Sequence, residues 1–132
     1  MIDHSGFTVS DISRSKAYYK LALAPIDYSL LMEFPAAITG TTDVAGFGEP
    51  DKPDFWLSQA TPAKPAHSPA LHFAFAAANR AQVDAYYTAA IAAGGQDNGA
   101  PGLRPHYHPN YYGAFVLDPD GHNIEVVCHQ AE

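Results

Sequence analysis

Histidine is as frequent in this chain as lysine and arginine together, with seven residues in each group. A neutral imidazole binds divalent metal ions, and imidazole also carries protons near neutral pH. Glu125 is the second chemical signal, because it lies between Ile124 and Val126 in an apolar run. A buried carboxylate needs a partner, which is either an arginine or lysine or a metal ion. Since basic residues are scarce, the sequence favours a metal ion at Glu125.

An internal repeat aligns two of the histidines. Sliding the chain against itself by 68 positions, the difference between 72 and 4, places His4 on His72. The same register aligns Phe7 with Phe75, Tyr18 with Tyr86 and Tyr19 with Tyr87. It predicts an internal duplication. Aligning the strands that end the two copies, Phe55-Trp56-Leu57 and Ile124-Glu125-Val126, places Trp56 opposite Glu125.

Two imidazoles and one carboxylate form a ligand set that leaves coordination positions open for a substrate. We therefore predict a divalent ion, one of Fe, Zn, Mn, Ni or Co, bound by His4, His72 and Glu125. The alternative is that His4 is a surface histidine and His72 a hydrogen-bonded core histidine.

The aromatic loop of residues 104–112 precedes the last two strands and supplies further candidates. We predict proton-transfer roles for Tyr112, His108 and His106. We predict that Trp56, Phe115, Tyr111 and Arg104 bind the substrate. The alternative is an aromatic loop packed on a dimer partner. The pattern assigns no role to His67 or His129, and it predicts that His122 is exposed after a turn.

Hydrophobic periodicity predicts the elements that position these residues. Helices are expected from about Ser10 to Pro25 and from Asn79 to about Ala93, where Gly94 and Gly95 follow. Strands are expected at residues 2–9, 26–34, 44–47, 55–59, 71–77, 114–117 and 124–128.

The pattern predicts one α+β domain over residues 1–132 made of two modules. The first covers about residues 1–60, an extended proline-rich linker covers 61–69, and the second module covers about 70–130. Each module is a strand, a helix and about three further strands, or βαβββ. Such a half-sheet buries one face against its helix, so its other face needs a second copy.

Composition excludes several classes of function. A net charge of -7 and a pI near 5.3 argue against binding a phosphate backbone, so we expect no nucleic-acid partner. No apolar run approaches membrane-spanning length, and the start lacks the pattern of a signal peptide, so we expect a cytoplasmic protein without membrane contact. The single cysteine, Cys128, cannot form an internal disulfide.

Two stretches resemble the vicinal oxygen chelate superfamily, which includes glyoxalase I, extradiol dioxygenases and bleomycin resistance proteins. They are His4 with residues 9–15 and the Tyr18-Tyr19 pair, and the closing segment Asp-Pro-Asp-Gly-His-Asn-Ile-Glu of residues 118–125. The resemblance implies paired βαβββ modules, the glyoxalase/bleomycin resistance/dihydroxybiphenyl dioxygenase-like fold. It also implies a homodimer with His4, His72 and Glu125 around one divalent metal.

The chain departs from two branches of that family. Trp56 stands where glyoxalase I has a fourth ligand, and Phe115 stands where extradiol dioxygenases have a tyrosine. The resemblance implies a small metal-dependent enzyme of lyase, isomerase or dioxygenase type, acting on a small oxygenated metabolite that chelates the metal. The alternative is a metal-free binding protein of the bleomycin-resistance type that captures a cationic ligand.

Overall fold

The structure, a computed structural model, describes residues 1–67 and 70–132. The predicted linker therefore lies partly outside the described residues, at Ser68 and Pro69. The strands are β1 (Ser5–Val9), β2 (Ser29–Phe34), β3 (Val44–Glu49), β4 (Lys52–Gln59), β5 (His72–Ala76), β6 (Gln96–Asp97), β7 (Gly102–Leu103), β8 (Tyr112–Leu117) and β9 (Asn123–Cys128). The helices are α1 (Ile12–Ala22), α2 (Ala36–Thr39) and α3 (Arg80–Ala92), with a 3₁₀ turn at Ala24–Ile26.

The strands form two sheets that correspond to two βαβββ modules. The first has the order β1-β4-β3-β2, and the second has β5-β9-β8-β6 with β7 also on β8. In each sheet the first strand runs parallel to the last, β1 to β4 and β5 to β9. The predicted α+β fold of paired βαβββ modules is thus confirmed.

Strand register places Trp56 and Glu125 at equivalent positions in the two modules. Gly6 pairs with Trp56 in the first sheet, and Ala74 pairs with Glu125 in the second. Gly6 and Ala74 are 68 positions apart, which is the offset that aligns His4 with His72. The first module therefore carries an aromatic ring where the second carries a carboxylate.

Side-chain caps begin both long helices. The Asp11 side chain accepts from the backbone N–H of Arg14, and the Asn79 side chain accepts from that of Gln82, as helix N-caps do. Both helices end near the predicted residues, and Gly94 follows α3 with a φ of +106°. The 3₁₀ turn after α1 includes Pro25 and delays β2 until Ser29, three residues later than predicted.

The helix-facing sides of the two modules share one core. Phe7 of β1 lies 5.2 Å from Phe73 of β5, and Phe55 of β4 lies 5.2 Å from Phe75, measured between ring centroids. Side chains alternate along a strand, so the neighbours of these phenylalanines point to the other face of each sheet. We call these the open faces, and exposed residues on them include Gly6, His72 and Ala74.

The turn between β8 and β9 docks on the first module, which overturns one expectation. Asp118 is buried and accepts from the Tyr19 hydroxyl at 2.6 Å, and Asp120 accepts from the Ser10 backbone at 3.0 Å. His122 follows this turn and is 0% exposed, with its ring 4.5 Å from Phe7. The prediction that His122 is exposed was wrong, because the turn packs against a distant strand.

Two further observations concern the linker and the helices. Thr61 and Lys64 exchange backbone hydrogen bonds in a tight turn, so this part of the predicted linker is not extended. Across residues 1–67 and 70–132, no helix has the length and apolar character needed to cross a membrane.

Candidate metal centre

Glu125 is the buried carboxylate at the centre of the site. It is 2% exposed, and strand β9 holds it on the open face of the second module. Its Oε2 atom lies 3.3 Å from Nε2 of His72, and its Oε1 atom accepts a hydrogen bond from the Tyr111 hydroxyl. Among the described residues, neither a lysine nor an arginine forms an ion pair with Glu125. Its partners are therefore an imidazole and a phenol.

The tautomer of His72 follows from the contact of Nδ1, the ring nitrogen that does not face Glu125. Nδ1 lies 3.0 Å from the carbonyl oxygen of Asn123, and a carbonyl only accepts, so Nδ1 carries the proton. In a neutral ring, Nε2 then presents its lone pair to the Glu125 carboxylate. Two acceptors face each other, and a cation between them relieves the repulsion. That cation is either a second ring proton or a metal ion.

The spacing of these two atoms fits two ligands of one ion. Nitrogen and oxygen atoms that each lie about 2.1 Å from an ion are roughly 2.9 to 3.4 Å apart at angles between 90° and tetrahedral. The observed 3.3 Å lies in that interval. A metal-binding histidine also commonly donates its other N–H to a backbone carbonyl or a carboxylate, as His72 does here. This half of the site therefore fits a divalent metal.

His4 has a similar arrangement at the start of β1. Its Nδ1 lies 2.7 Å from Oδ1 of Asp3, and Lys52 donates to the same oxygen at 3.1 Å. These hydrogen bonds, with His4 the larger cause, lower the pKa of Asp3 and keep it an ionised acceptor. Nδ1 of His4 consequently donates, which leaves Nε2 with a lone pair for a ligand.

Two clefts meet at His4. One, of about 390 Å³, is lined by both His4 and His72 together with Asp54 and Phe73. The other, of about 490 Å³, covers the open face of the first module and is lined by His4 and Trp56. His4 thus borders both clefts, one together with His72 and the other together with Trp56.

The structure brings some of the predicted ligands together and leaves one apart. His72 and Glu125 are in contact, whereas His4 pairs with Asp3 and lines a cleft together with His72. Within the part of the chain that the structure describes, no group of three His, Cys, Asp or Glu side chains is placed to hold a metal ion. Within residues 1–67 and 70–132, one chain therefore brings together two of the three predicted ligands.

The predicted walls of the site are on the open faces. Phe115 pairs across the strands with Glu125, and its ring is stacked on His72 with centroids 6.4 Å apart. Trp56 is stacked on Phe34 at 6.3 Å and 13°. Arg104 lies over the Phe115 ring at 5.4 Å and donates to a loop carbonyl at 2.8 Å. Arg104 thus contacts Phe115, and Phe115 in turn is stacked on His72.

The proton-transfer candidates are in three different surroundings. His108 has Nε2 at 2.5 Å from Nδ1 of His129, and its Nδ1 accepts from the Asn110 backbone. His106 is exposed, with its ring against Tyr107. Tyr112 lies on the helix-facing side of β8, where its hydroxyl donates to Asp84 of α3 at 2.7 Å. That bond is the largest cause that raises the pKa of Tyr112.

Sequence reasoning missed three features of the site. The bond from Tyr111 to Glu125 and the contact of His129 with His108 depend on the loop's conformation. The role of Asp3 beside His4 had a signal, because an acidic residue adjacent to a histidine can orient the ring. No pattern in the sequence indicated that His129 joins the aromatic loop.

Comparison with known proteins agrees with this fold. The chain belongs to the glyoxalase/bleomycin resistance protein/dioxygenase superfamily, whose family model matches residues 1–126. This bears out the resemblance seen in the sequence. No curated protein matches the chain.

Several solved structures share the fold. A glyoxalase/bleomycin resistance protein from Albidiferax ferrireducens is 26% identical, with a TM-score of 0.78 over 96% of this chain and 97% of that one. A glyoxalase/bleomycin resistance protein/dioxygenase family enzyme from Burkholderia phytofirmans is 18% identical, with a TM-score of 0.70 over 98% of both chains. Glyoxalase I from Zea mays is 21% identical, with a TM-score of 0.70 over 99% of this chain and 45% of that one. The last two likenesses show the fold alone.

Proposed function

We propose that this protein is a divalent-metal-dependent enzyme of lyase, isomerase or dioxygenase type that acts on a small oxygenated metabolite. The observation that carries the proposal is the placement of His72 Nε2 and Glu125 Oε2, 3.3 Å apart with the His72 tautomer fixed by Asn123. A bound divalent metal would polarise chelating substrate oxygens as a Lewis acid. His4 is the third ligand in this proposal, because its Nδ1 pairs with Asp3 and leaves Nε2 able to bind a metal.

The surrounding side chains have separate roles. Phe115 and Trp56 are walls that exclude water and orient a flat substrate. His108 and His106 are the candidates for proton transfer, since both belong to the loop that carries Tyr111 over Glu125. The hydroxyl of Tyr112 is bonded to Asp84 on the helix side, so we assign Tyr112 no part in proton transfer.

We further propose that the working form is a homodimer in which a second copy supplies His4 to the His72 and Glu125 pair. The described part of one chain clusters two of the three proposed ligands, and this supports completion of the set by a second chain. The open face of the first module presents exposed Met32 and Phe34 beside Trp56. Exposed apolar patches of this kind are commonly association surfaces.

Metal analysis of protein purified without added metal tests the ligand set. We expect close to one equivalent of a divalent metal per chain, lost in Glu125→Ala and in His72→Ala. Lys20→Ala is a matched surface control, since Lys20 is exposed on α1, and it should keep its metal. A metal content that survives Glu125→Ala would contradict the proposal.

A complementation experiment tests the sharing of ligands between chains. Co-expressed His4→Ala and Glu125→Ala chains form heterodimers with one intact site if the ligands come from two chains. Random pairing then restores about a quarter of the wild-type metal content. Ligands from a single chain would restore none, and so would a monomer.

Substrate type is then tested by oxygen consumption with a panel of catechols under Fe(II), where any consumption identifies the dioxygenase branch.

A second candidate function is favoured by the lining of the His4 and His72 cleft. Asp3 and Asp54 both line it, with the rings of Tyr28, Phe55, Phe73 and Phe75 around them. Carboxylates and aromatic rings together suit a cationic aromatic compound. A metal-free protein that binds such a compound tightly, with binding weakened by Asp54→Asn, would support a sequestering protein over the enzyme.

A further inference from the structure

Tyr111 contacts the oxygen of Glu125 that His72 does not face. The Tyr111 hydroxyl donates to Oε1, whereas Oε2 lies beside His72 Nε2. Glu125 is buried, so each of its oxygens needs a partner. The two oxygens thus have different partners, one neutral donor and one imidazole nitrogen.

The loop holds Tyr111 firmly in this position. Its carbonyl accepts from the Arg104 backbone at 2.7 Å, and its own N–H donates to the His108 carbonyl at 3.2 Å. Its ring packs 4.8 Å from that of Tyr107 and 5.2 Å from that of His129, the latter at 82°. These contacts fix both the backbone and the ring, so the hydroxyl has a defined direction.

We propose that Tyr111 is a positioning residue that makes Glu125 a one-oxygen ligand and keeps the remaining coordination positions of the metal open for substrate. This inference rests on the metal-dependent function proposed above. A carboxylate that binds a metal is normally held by a further hydrogen bond, which sets its orientation. Without the donor on Oε1, the Glu125 carboxylate can rotate or bind with both oxygens and occupy a position that the substrate needs.

The chemistry of Tyr111 suits a permanent donor. A tyrosine phenol is protonated at neutral pH, so its hydroxyl can donate to Oε1 of Glu125. A neutral phenol adds no charge to the site. The aromatic loop and His129 thereby support one hydrogen bond, from the Tyr111 hydroxyl to Glu125.

Tyr111→Phe removes the hydroxyl and keeps the ring, and Tyr107→Phe is the matched control in the same loop. Tyr107 is 59% exposed and packs against Tyr111 through its ring. Affinity for Co(II), measured by competition with a chromophoric chelator, should fall roughly 10- to 100-fold in Tyr111→Phe, as expected when a second partner of a ligand is lost. Tyr107→Phe should bind as the wild type does. Circular dichroism checks that both variants are folded.

A metal-free measurement separates this inference from the proposed function. The Tyr111 hydroxyl proton should be visible by NMR in the unloaded protein, absent in Tyr111→Phe, shifted in Glu125→Gln and unchanged in Tyr107→Phe. If no such resonance is found, or if Tyr111→Phe binds Co(II) with wild-type affinity, the positioning role is refuted. If the resonance is present and the wild type binds no divalent metal, the metal-dependent function fails, and the Tyr111 bond remains a structural contact only.

Discussion

Glu125→Gln separates metal binding from folding. The glutamine keeps the size of the side chain, its oxygen can still accept from Tyr111, and its amide can donate to the His72 Nε2 lone pair. Both contacts of the buried group therefore survive, and we expect the metal-free variant to be within about 1 kcal/mol of the wild type. The anionic ligand is lost, so added metal should no longer stabilise the protein.

The size of the effect follows from linkage. A ligand at 100 times its dissociation constant stabilises the folded state by about 2.7 kcal/mol. For a domain of this length, about 1 kcal/mol corresponds to roughly 4 °C in Tm, so the wild type should gain roughly 10 °C. Thermal denaturation by circular dichroism, with excess metal and with chelator, measures this gain. Glu125→Gln should gain less than about 2 °C.

A matched control and a refuting result complete the experiment. Glu33→Gln removes an exposed carboxylate paired with Lys16, and it should keep the full gain from metal. If Glu125→Gln is stabilised by metal as strongly as the wild type, the ion binds elsewhere and the ligand assignment fails. A metal-free Glu125→Gln that is unfolded would refute the hydrogen-bond reasoning for the buried group.

Three further predictions concern the fold and the open face. Tyr19→Phe removes the buried hydrogen bond to Asp118 and should lower the free energy of unfolding, measured by urea denaturation, by about 1 to 3 kcal/mol. An unchanged free energy would show that Asp118 is satisfied without this hydrogen bond. The free energy of unfolding should fall above about pH 10, because burial raises the pKa of Tyr19 and of Tyr86, so the unfolded chain loses these protons at a lower pH than the folded protein does. The urea midpoint should therefore be lower at about pH 10.5 than at about pH 8. Trp56 is the single tryptophan and is stacked on Phe34, so a ligand that enters the open face of the metal-loaded protein should change its fluorescence, and an unchanged spectrum would contradict this.

The contact between His72 and Glu125 could be predicted from the sequence, whereas the contacts of Tyr111 and His122 could not. The repeat register and the alternation of side chains are local signals, and a parallel pairing of β5 with β9 then places both residues on one face. Tyr111 reaches Glu125 because a loop without regular structure folds back. His122 is buried because its turn docks on Ser10, about a hundred residues away in sequence. Such contacts depend on tertiary packing that no local pattern encodes.

The two modules share a fold and differ in chemistry, and the difference has a physical basis. In the first module, Trp56 takes the register position of Glu125, and its ring lies against Gly46, where an added Cβ would come within 2.8 Å. That half of the duplication therefore presents a flat aromatic surface, which requires a glycine beneath it. The second module keeps a carboxylate with two partners. In the proposed dimer, pairing the open faces of two chains would enclose a site to which one chain contributes His4 and Trp56 from its first module. The other chain would contribute His72, Glu125 and Phe115 from its second module.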